Sequence, residues 1–438
     1  MIVLEDYLAK HALTSGDKIA VICNGENLTY RYLYQSAKEL AEKYKQSGEK
    51  AMVIKTSQSI GFLVSYLASH IAGIPAVPLE KDIPEFRVNE IRDVIQNSNF
   101  GNDIADILYT TGTTGKQKGV MISHSAIMAN AENLVLAQGF DSDLAFIICG
   151  PLNHIGSLSK LWPMMLVGGT VIITEGMKDL TPFFNSFEYG FEKYATFLVP
   201  ANIRFILRFE KERLNSHSDR IDFIETGGAA LMETDMWELR KIMPHARLYN
   251  TYASTETGII STHDFCHEGV IGGCLGHAMK NSDVMITSDG MIACKGATLM
   301  SGYVGDQQLT NEVLKDGVFY TSDYGSFDDE GRLMLAGRKG EVINVGGYKI
   351  HPTEIESVVQ SYEGIVDCIC VSSNHPIMGC VQKLIYVVEE GVEFNLRNLI
   401  DYLKSRLESF KIPLYYEQAK EIKHTYNGKV DRKFYRDK

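Results

Sequence analysis

Four short apolar runs, FIICG at 146–150, TVIIT at 170–174, TFLVP at 196–200 and DFIETGG at 222–228, each stop at a glycine, a proline or a polar turn. Runs of this kind read as strands in the sheet core of one large body. The rhythm is similar upstream, where the amphipathic run Tyr30 to Tyr44 reads as a helix and AMVIKT at 51–56 as a short strand. Strands interleaved with helices predict α/β layering. Residues 60–79 form a stretch of twenty in which His70 is the only group that titrates near neutrality. That is nominally long enough to cross a membrane, but Gly73 and Pro75 interrupt it where a helix would end. The expectation is a buried helix, a turn and a buried strand, with no membrane span.

From Val284 the pattern turns to short alternating strands with turn signals, as in DDEGRLMLAGR at 328–338. This reads as antiparallel hairpins of a β-rich subdomain. After Arg338 the pattern changes again: HPTEIESVVQSY at 351–362 and NLRNLIDYLKSRLESF at 395–410 are helical by periodicity and flank strand-like CICVSS and KLIYVVEE. Together they make a compact α+β unit of about 100 residues. The predicted organisation is a large body over 1–339 and a smaller unit over 340–438, with the boundary near Gly340. No internal repeat or low-complexity tract is visible.

A chain of 438 residues suggests two or three domains, and 45% hydrophobic with 22% charged residues is ordinary for a soluble globular protein. The net charge of −12 opposes nucleic-acid binding, which depends on cations meeting phosphates. A small anion such as ATP stays possible, because a few backbone N–H groups and one or two cations hold it locally. The eight cysteines show no paired CxxC spacing and read as reduced thiols. The opening MIVLEDYLAK has no basic segment leading into an apolar one, so the expected location is the cytoplasm. His263, Cys266 and His267 crowd potential metal ligands but have no fourth partner at metal spacing.

The strongest chemical signal is YTTGTTGKQKGV at 109–120. Gly112, Gly115 and Gly119 let backbone N–H groups approach phosphate oxygens; Thr110, Thr111, Thr113 and Thr114 add hydroxyls, and Lys116 and Lys118 add charge. A Walker A loop does not fit, since Gln117 stands five residues after Gly112.

This segment resembles the phosphate loop of the AMP-forming acyl-adenylate superfamily, which contains acyl-CoA synthetases, peptide-synthetase adenylation domains and firefly luciferase. Further segments follow in that family's order. PLNHIGSL at 151–158 is similar to its acyl-site segment, ETGGAAL at 225–231 to the turn lining the adenine and acyl pockets, and YNTYASTETG at 249–258 to the segment holding adenine and magnesium. DGVFYTSDYGSFDDEGRLMLAGRKGEVINVGGYKIHPTEIE at 316–356 resembles the family pattern almost unbroken, and NGKVDR at 427–432 resembles its C-terminal lysine motif.

The resemblance implies a carboxylic acid activated with ATP and Mg²⁺ to an acyl-adenylate and passed to a thiol. CoA is the expected thiol, and a carrier-protein phosphopantetheine the alternative. It implies catalytic parts for Thr110, His154, Glu256 and Lys429, with Glu256 also the magnesium ligand. Lys429 would bridge the substrate carboxylate and the α-phosphate, and His154 would gate the acyl pocket. ATP would be held by Thr111, Gly112, Thr113, Thr114, Gly115, Lys116, Lys118, Gly228, Ala229, Tyr252, Ala253, Ser254, Thr255, Asp323 and Arg338. Within that set Tyr252 would stack on adenine, Asp323 would accept from the ribose hydroxyls, and Arg338 would reach ribose or phosphate. Two anions meet in the first step, so these cations and dipoles are what the chemistry needs.

Departures from the pattern are Gln117 for a usual proline, Ala253 and Ser322 for usual glycines, and Gly340 where Asp or Lys is common. Ile155 stands where amino-acid-activating relatives carry Asp, which weakens an α-amino acid as substrate. The link between Leu79 and Tyr109 is short, implying a trimmed N-terminal subdomain. HIGS at 154–157 is close to an aminoacyl-tRNA synthetase signature, but no KMSKS-like partner accompanies it and the chain is acidic. A degenerate adenylate-binding regulator would not need Glu256, Asp323 and Lys429 together. The particular acid cannot be read from scattered apolar residues, and neither can the oligomeric state.

Overall fold

The computed structural model describes residues 2–111, 117–345, 348–376, 379–425 and 430–436. Its main feature is one long sheet whose middle is parallel. Strands Arg247–Ser254, Ile221–Gly227, Lys193–Phe197, Leu144–Ile148, Thr170–Ile173 and Ile19–Cys23 pair side by side in that order, all parallel. Both faces of this region are covered. Phe146 and Ile148 point into one core with Val21 and Val171, while Ala145 and Ile147 point into another with Ile22 and Ile172. A strand buried on both faces gains from apolar residues at every position, and this is why these segments read as unbroken runs.

The first core is shared with a second sheet built from Met52–Lys55, Ala76–Leu79, Ile104–Thr111, Gln117–Ser123 and Gly302–Tyr303. The expected helix, turn and strand at 60–79 are found as helix Ile60–Ala72 and strand Ala76–Leu79. Ser59 Oγ caps the helix start, and Gly73 ends it at φ 72°, a left-handed conformation that suits glycine. No described helix is long and apolar enough to cross a membrane.

Two expectations need correction. TFLVP is not one strand: the strand is Lys193–Phe197, and Pro200 opens helix Pro200–Phe209, where its missing N–H has no cost. The long C-terminal helix at 395–410 is shorter, Leu396–Lys404. Leu407 N–H bonds back to the Leu403 carbonyl, and a 3₁₀ turn Ser409–Lys411 follows.

The antiparallel strands expected after Val284 are present and continue the large sheet. Gly258–Asp264 pairs antiparallel with Arg247–Ser254, and Cys274–Ala278, Leu333–Arg338, Val318–Phe327, Met291–Gly296 and Ser282–Ile286 follow outward. Residues beyond 340 form a three-stranded sheet of Ile365–His375, Gly379–Val388 and Tyr415–Gln418 with helices Pro352–Gln360 and Leu396–Lys404. Their own core gathers Ile343, Ile355, Val359, Cys368, Leu384, Leu399 and Leu403.

Candidate active site

Among the described residues, Gly228, Ala229, Tyr252 and Glu256 lie at or just beyond the ends of parallel strands Ile221–Gly227 and Arg247–Ser254, where the sheet turns antiparallel. Open α/β sheets bind ligands outside the carboxyl ends of their strands. Strand Ile221–Gly227 runs out into Gly228, which sits at φ 79° and is exposed with Ala229 after it. Gly227 is held to glycine for a separate reason, since a Cβ there would lie 2.5 Å from the Thr251 carbonyl of the next strand.

Tyr252, Asp323 and Arg338 form one constellation. Asp323 and Arg338 stand opposite each other in the antiparallel register, with Arg338 Nε 3.5 Å from Asp323 Oδ1. Tyr252 donates its hydroxyl to the other oxygen, Asp323 Oδ2, at 2.7 Å. Burial and then the Asp323 charge push the Tyr252 phenol well above its ordinary pKa, so it stays a proton donor. The phenol that was expected to stack on adenine thus also fixes the expected ribose acceptor.

Glu256 heads a second constellation at the turn between Arg247–Ser254 and Gly258–Asp264. Tyr303 donates to Glu256 Oε1 at 3.0 Å, and Lys118 Nζ lies 5.3 Å from the centre of the Tyr303 ring. Backbone bonds tie the parts together: Met300 N–H to the Glu256 carbonyl, and Val304 N–H to the Gly119 carbonyl. Burial and the Glu256 carboxylate raise the Tyr303 phenol, keeping it a donor. A partly exposed carboxylate with one oxygen engaged is a fitting ligand for a hard cation such as Mg²⁺. Ser254 and Thr257 exchange hydrogen bonds across the same turn, and Ala253 and Thr255 are part-buried beside them.

His154 precedes the short helix Ile155–Leu158 and is part-buried. Near it, Phe197 lies against Gly156, where a Cβ would meet the ring at 3.1 Å. Behind Phe197 is a pair that sequence reasoning missed. Lys160 Nζ donates to Glu225 Oε1 at 2.7 Å, with the two residues 1% and 0% exposed. Tyr303 was missed as well, because its partner is 47 residues away and nothing adjacent marks it. The glutamate inside the apolar run DFIETGG was the available signal for the buried pair.

Thr110 and Thr111 are the last two residues of strand Ile104–Thr111, leading into the expected phosphate loop. Gly112, Thr113, Thr114, Gly115, Lys116 and Lys429 lie outside the described residues. Past Lys429, Arg432 makes a two-pronged contact with Glu356 and reaches Glu341 at 3.1 Å. His263, Cys266 and His267 do not converge on a metal: His263 Nδ1 meets Glu268 and His267 Nδ1 meets Asp264.

An AMP-binding enzyme model matches residues 95–304, and an AMP-binding enzyme C-terminal domain model matches 354–429. A 2-succinylbenzoate–CoA ligase of Staphylococcus epidermidis is 26% identical, covering 98% of this chain and 96% of the relative. One from Staphylococcus aureus is 32% identical over 78% of this chain and 69% of the relative. Among solved structures, ATP-bound MatB from Rhodopseudomonas palustris superposes with a TM-score of 0.88 at 22% identity, covering 100% of this chain and 99% of that one. The o-succinylbenzoate CoA synthetase MenE of Bacillus subtilis, in complex with the acyl-adenylate OSB-AMP, gives 0.85 at 23%, covering 99% and 98%. The chain belongs to the AMP-binding enzyme family, the AMP-forming acid–thiol ligases that work through an acyl-adenylate. ATP and magnesium are the cofactors of that chemistry, and CoA is the thiol substrate of its ligase branch.

Proposed function

We propose that this enzyme activates an aromatic or apolar carboxylic acid and transfers it to CoA, with 2-succinylbenzoate, the acid of its curated relatives, as the first substrate to test. The observation that carries the reading is the pair of constellations Tyr252–Asp323–Arg338 and Glu256–Tyr303–Lys118. The first offers a carboxylate to ribose hydroxyls and a guanidinium beside it. The second offers a carboxylate oriented by a phenol, with a cation near the phosphate loop. Magnesium, when bound, lowers the repulsion between the acid and ATP; Glu256 would be its ligand, and Tyr303 would aim that carboxylate.

His154 and Phe197 would border the acyl group, and Lys429 would arrive from the C-terminal unit to meet the substrate carboxylate and α-phosphate. We place the boundary between the units at Gly340, whose φ of 87° and open surroundings suit a hinge. Eight free thiols support a reducing compartment, in keeping with a cytoplasmic enzyme.

The test is pyrophosphate exchange across a panel of acids, followed by thioester formation with CoA or with a phosphopantetheinyl carrier protein. Exchange driven by 2-succinylbenzoate or another aromatic acid, with product only from CoA, is the expected result. Exchange without CoA turnover but with carrier loading would overturn the choice of thiol, and exchange driven by α-amino acids alone would overturn the choice of acid.

A further inference from the structure

Four polar side chains from four separate elements meet beside the first core. Glu5 comes from helix Leu4–Thr14, His70 from Ile60–Ala72, Asp106 from strand Ile104–Thr111 and His124 from the start of helix His124–Gln138. His70 Nδ1 is 2.7 Å from Glu5 Oε1, and its Nε2 is 3.0 Å from Asp106 Oδ1. His124 Nδ1 is 3.8 Å from Glu5 Oε2. One ligand atom each from Glu5, His70 and His124 lie within 4.8 Å of one another.

We propose that Glu5, His70 and His124 form a structural binding site for a divalent transition metal, with Zn²⁺ the best match, and that Asp106 orients His70 from behind.

Donor chemistry supports this. Two imidazoles and a carboxylate are a ligand set that zinc takes, with solvent in the fourth position. A ligating histidine generally gives its second ring N–H to a carboxylate, and His70 Nε2 faces Asp106. Asp106 is itself held on its other oxygen by Tyr66, whose hydroxyl accepts from Trp162 Nε1. That chain fixes the His70 ring and leaves Nδ1 aimed at Glu5.

Charge supports it too. The carboxylates of Glu5 and Asp106 face His70 from opposite sides in a buried setting, and buried charges of one sign call for a cation or metal beside them. Glu5 Oε2, moreover, is buried and accepts no hydrogen bond among the described residues, yet it faces His124. A ligand oxygen has that geometry.

The site would stitch the first helix to three elements of the body, so its loss should show in stability. The full-length protein, purified without metal-chelating resin, is assayed for zinc by mass spectrometry. It is then stripped with chelator and titrated with Co²⁺ in the absence of nucleotide, following visible absorbance. The expected result is about one equivalent of metal with a midpoint of unfolding about 5 °C above that of the stripped protein. His124→Gln, at the rim of the cluster, should lose the Co²⁺ spectrum and the stabilisation, while His277→Gln, at an exposed position elsewhere, keeps both. Protein that carries no zinc, takes up no Co²⁺ and melts identically with and without chelator would overturn the proposal, leaving His70 as a hydrogen-bonded clamp between Glu5 and Asp106. Undiminished Co²⁺ binding by His124→Gln would overturn it equally.

Discussion

Glu256 and Tyr303 are the pair in which single atoms matter most. Glu256→Gln removes the charge that would meet magnesium, whereas Tyr303→Phe removes only the hydroxyl that aims it. The expected order is a loss of about 100-fold or more in pyrophosphate exchange for Glu256→Gln. Tyr303→Phe should lose about 10-fold, the scale of one hydrogen bond to a charged group. Equal exchange by folded wild type and Tyr303→Phe would show that the phenol orients nothing. Asp323 allows a second test. If its carboxylate accepts from the ribose, wild type should discriminate against 2′-deoxy-ATP, because a site built to bond a hydroxyl rejects the analogue lacking it. Asp323→Ala should erase that preference, which competition kinetics with the two nucleotides measures directly. The same substitution frees the Tyr252 hydroxyl, so weaker binding alone would not be diagnostic. The preference ratio is.

Element packing explains the pair behind the acyl segment. Strand Ile221–Gly227 is covered on both sides, yet it carries Glu225. Lys160 enters from the neighbouring segment to meet it, and desolvation pulls the lysine pKa down while Glu225 pulls it back up. Breaking such a pair leaves one buried charge alone. Lys160→Met should therefore cost about 3–5 kcal/mol in unfolding by urea, and Lys160→Met with Glu225→Leu should recover most of it. A double variant no more stable than the single one would show that the pair gains its stability from packing rather than from charge. The same strands show how far local pattern reaches. The run DFIETGG was legible as a buried strand because the apolar residues on both its faces are covered. TFLVP was misplaced because Pro200 belongs to a helix start, and an apolar run does not reveal where strand stops and helix begins.

At the scale of the whole molecule, the contacts between the C-terminal unit and the body among the described residues are modest ones. Arg208 pairs with Glu389 at 3.1 Å, but both side chains are well exposed, 39% and 49%, and exposed pairs contribute only about 0–1 kcal/mol. Thr353 donates to the Ala336 carbonyl, and His351 packs against Gly337 close to the crossing. If the unit rotates about Gly340, as proposed, contacts this modest would not hold it. Lys429→Ala should then abolish acyl-adenylate formation while still turning supplied acyl-adenylate and CoA into thioester. Gly340→Pro should slow overall turnover more than the first half-reaction, since proline cannot adopt the positive φ seen there. Measuring each half-reaction separately decides it: equal loss of both steps in folded Lys429→Ala would remove the case for a lysine confined to adenylation.

Taken alone, the sequence determined the layered α/β body, the helix-turn-strand at 60–79 and the hairpins after Val284. Each of these is written in local periodicity, turn residues or contiguous motifs, so physics acting over a few residues suffices. Tertiary structure alone decided that the hairpins extend the parallel sheet, that Tyr303 steers Glu256, that Lys160 neutralises Glu225, and that Glu5, His70, Asp106 and His124 meet. Those facts depend on contacts between residues far apart in the chain. No spacing encodes them, because it is the order of strands in the sheets that brings such residues within a hydrogen bond of one another.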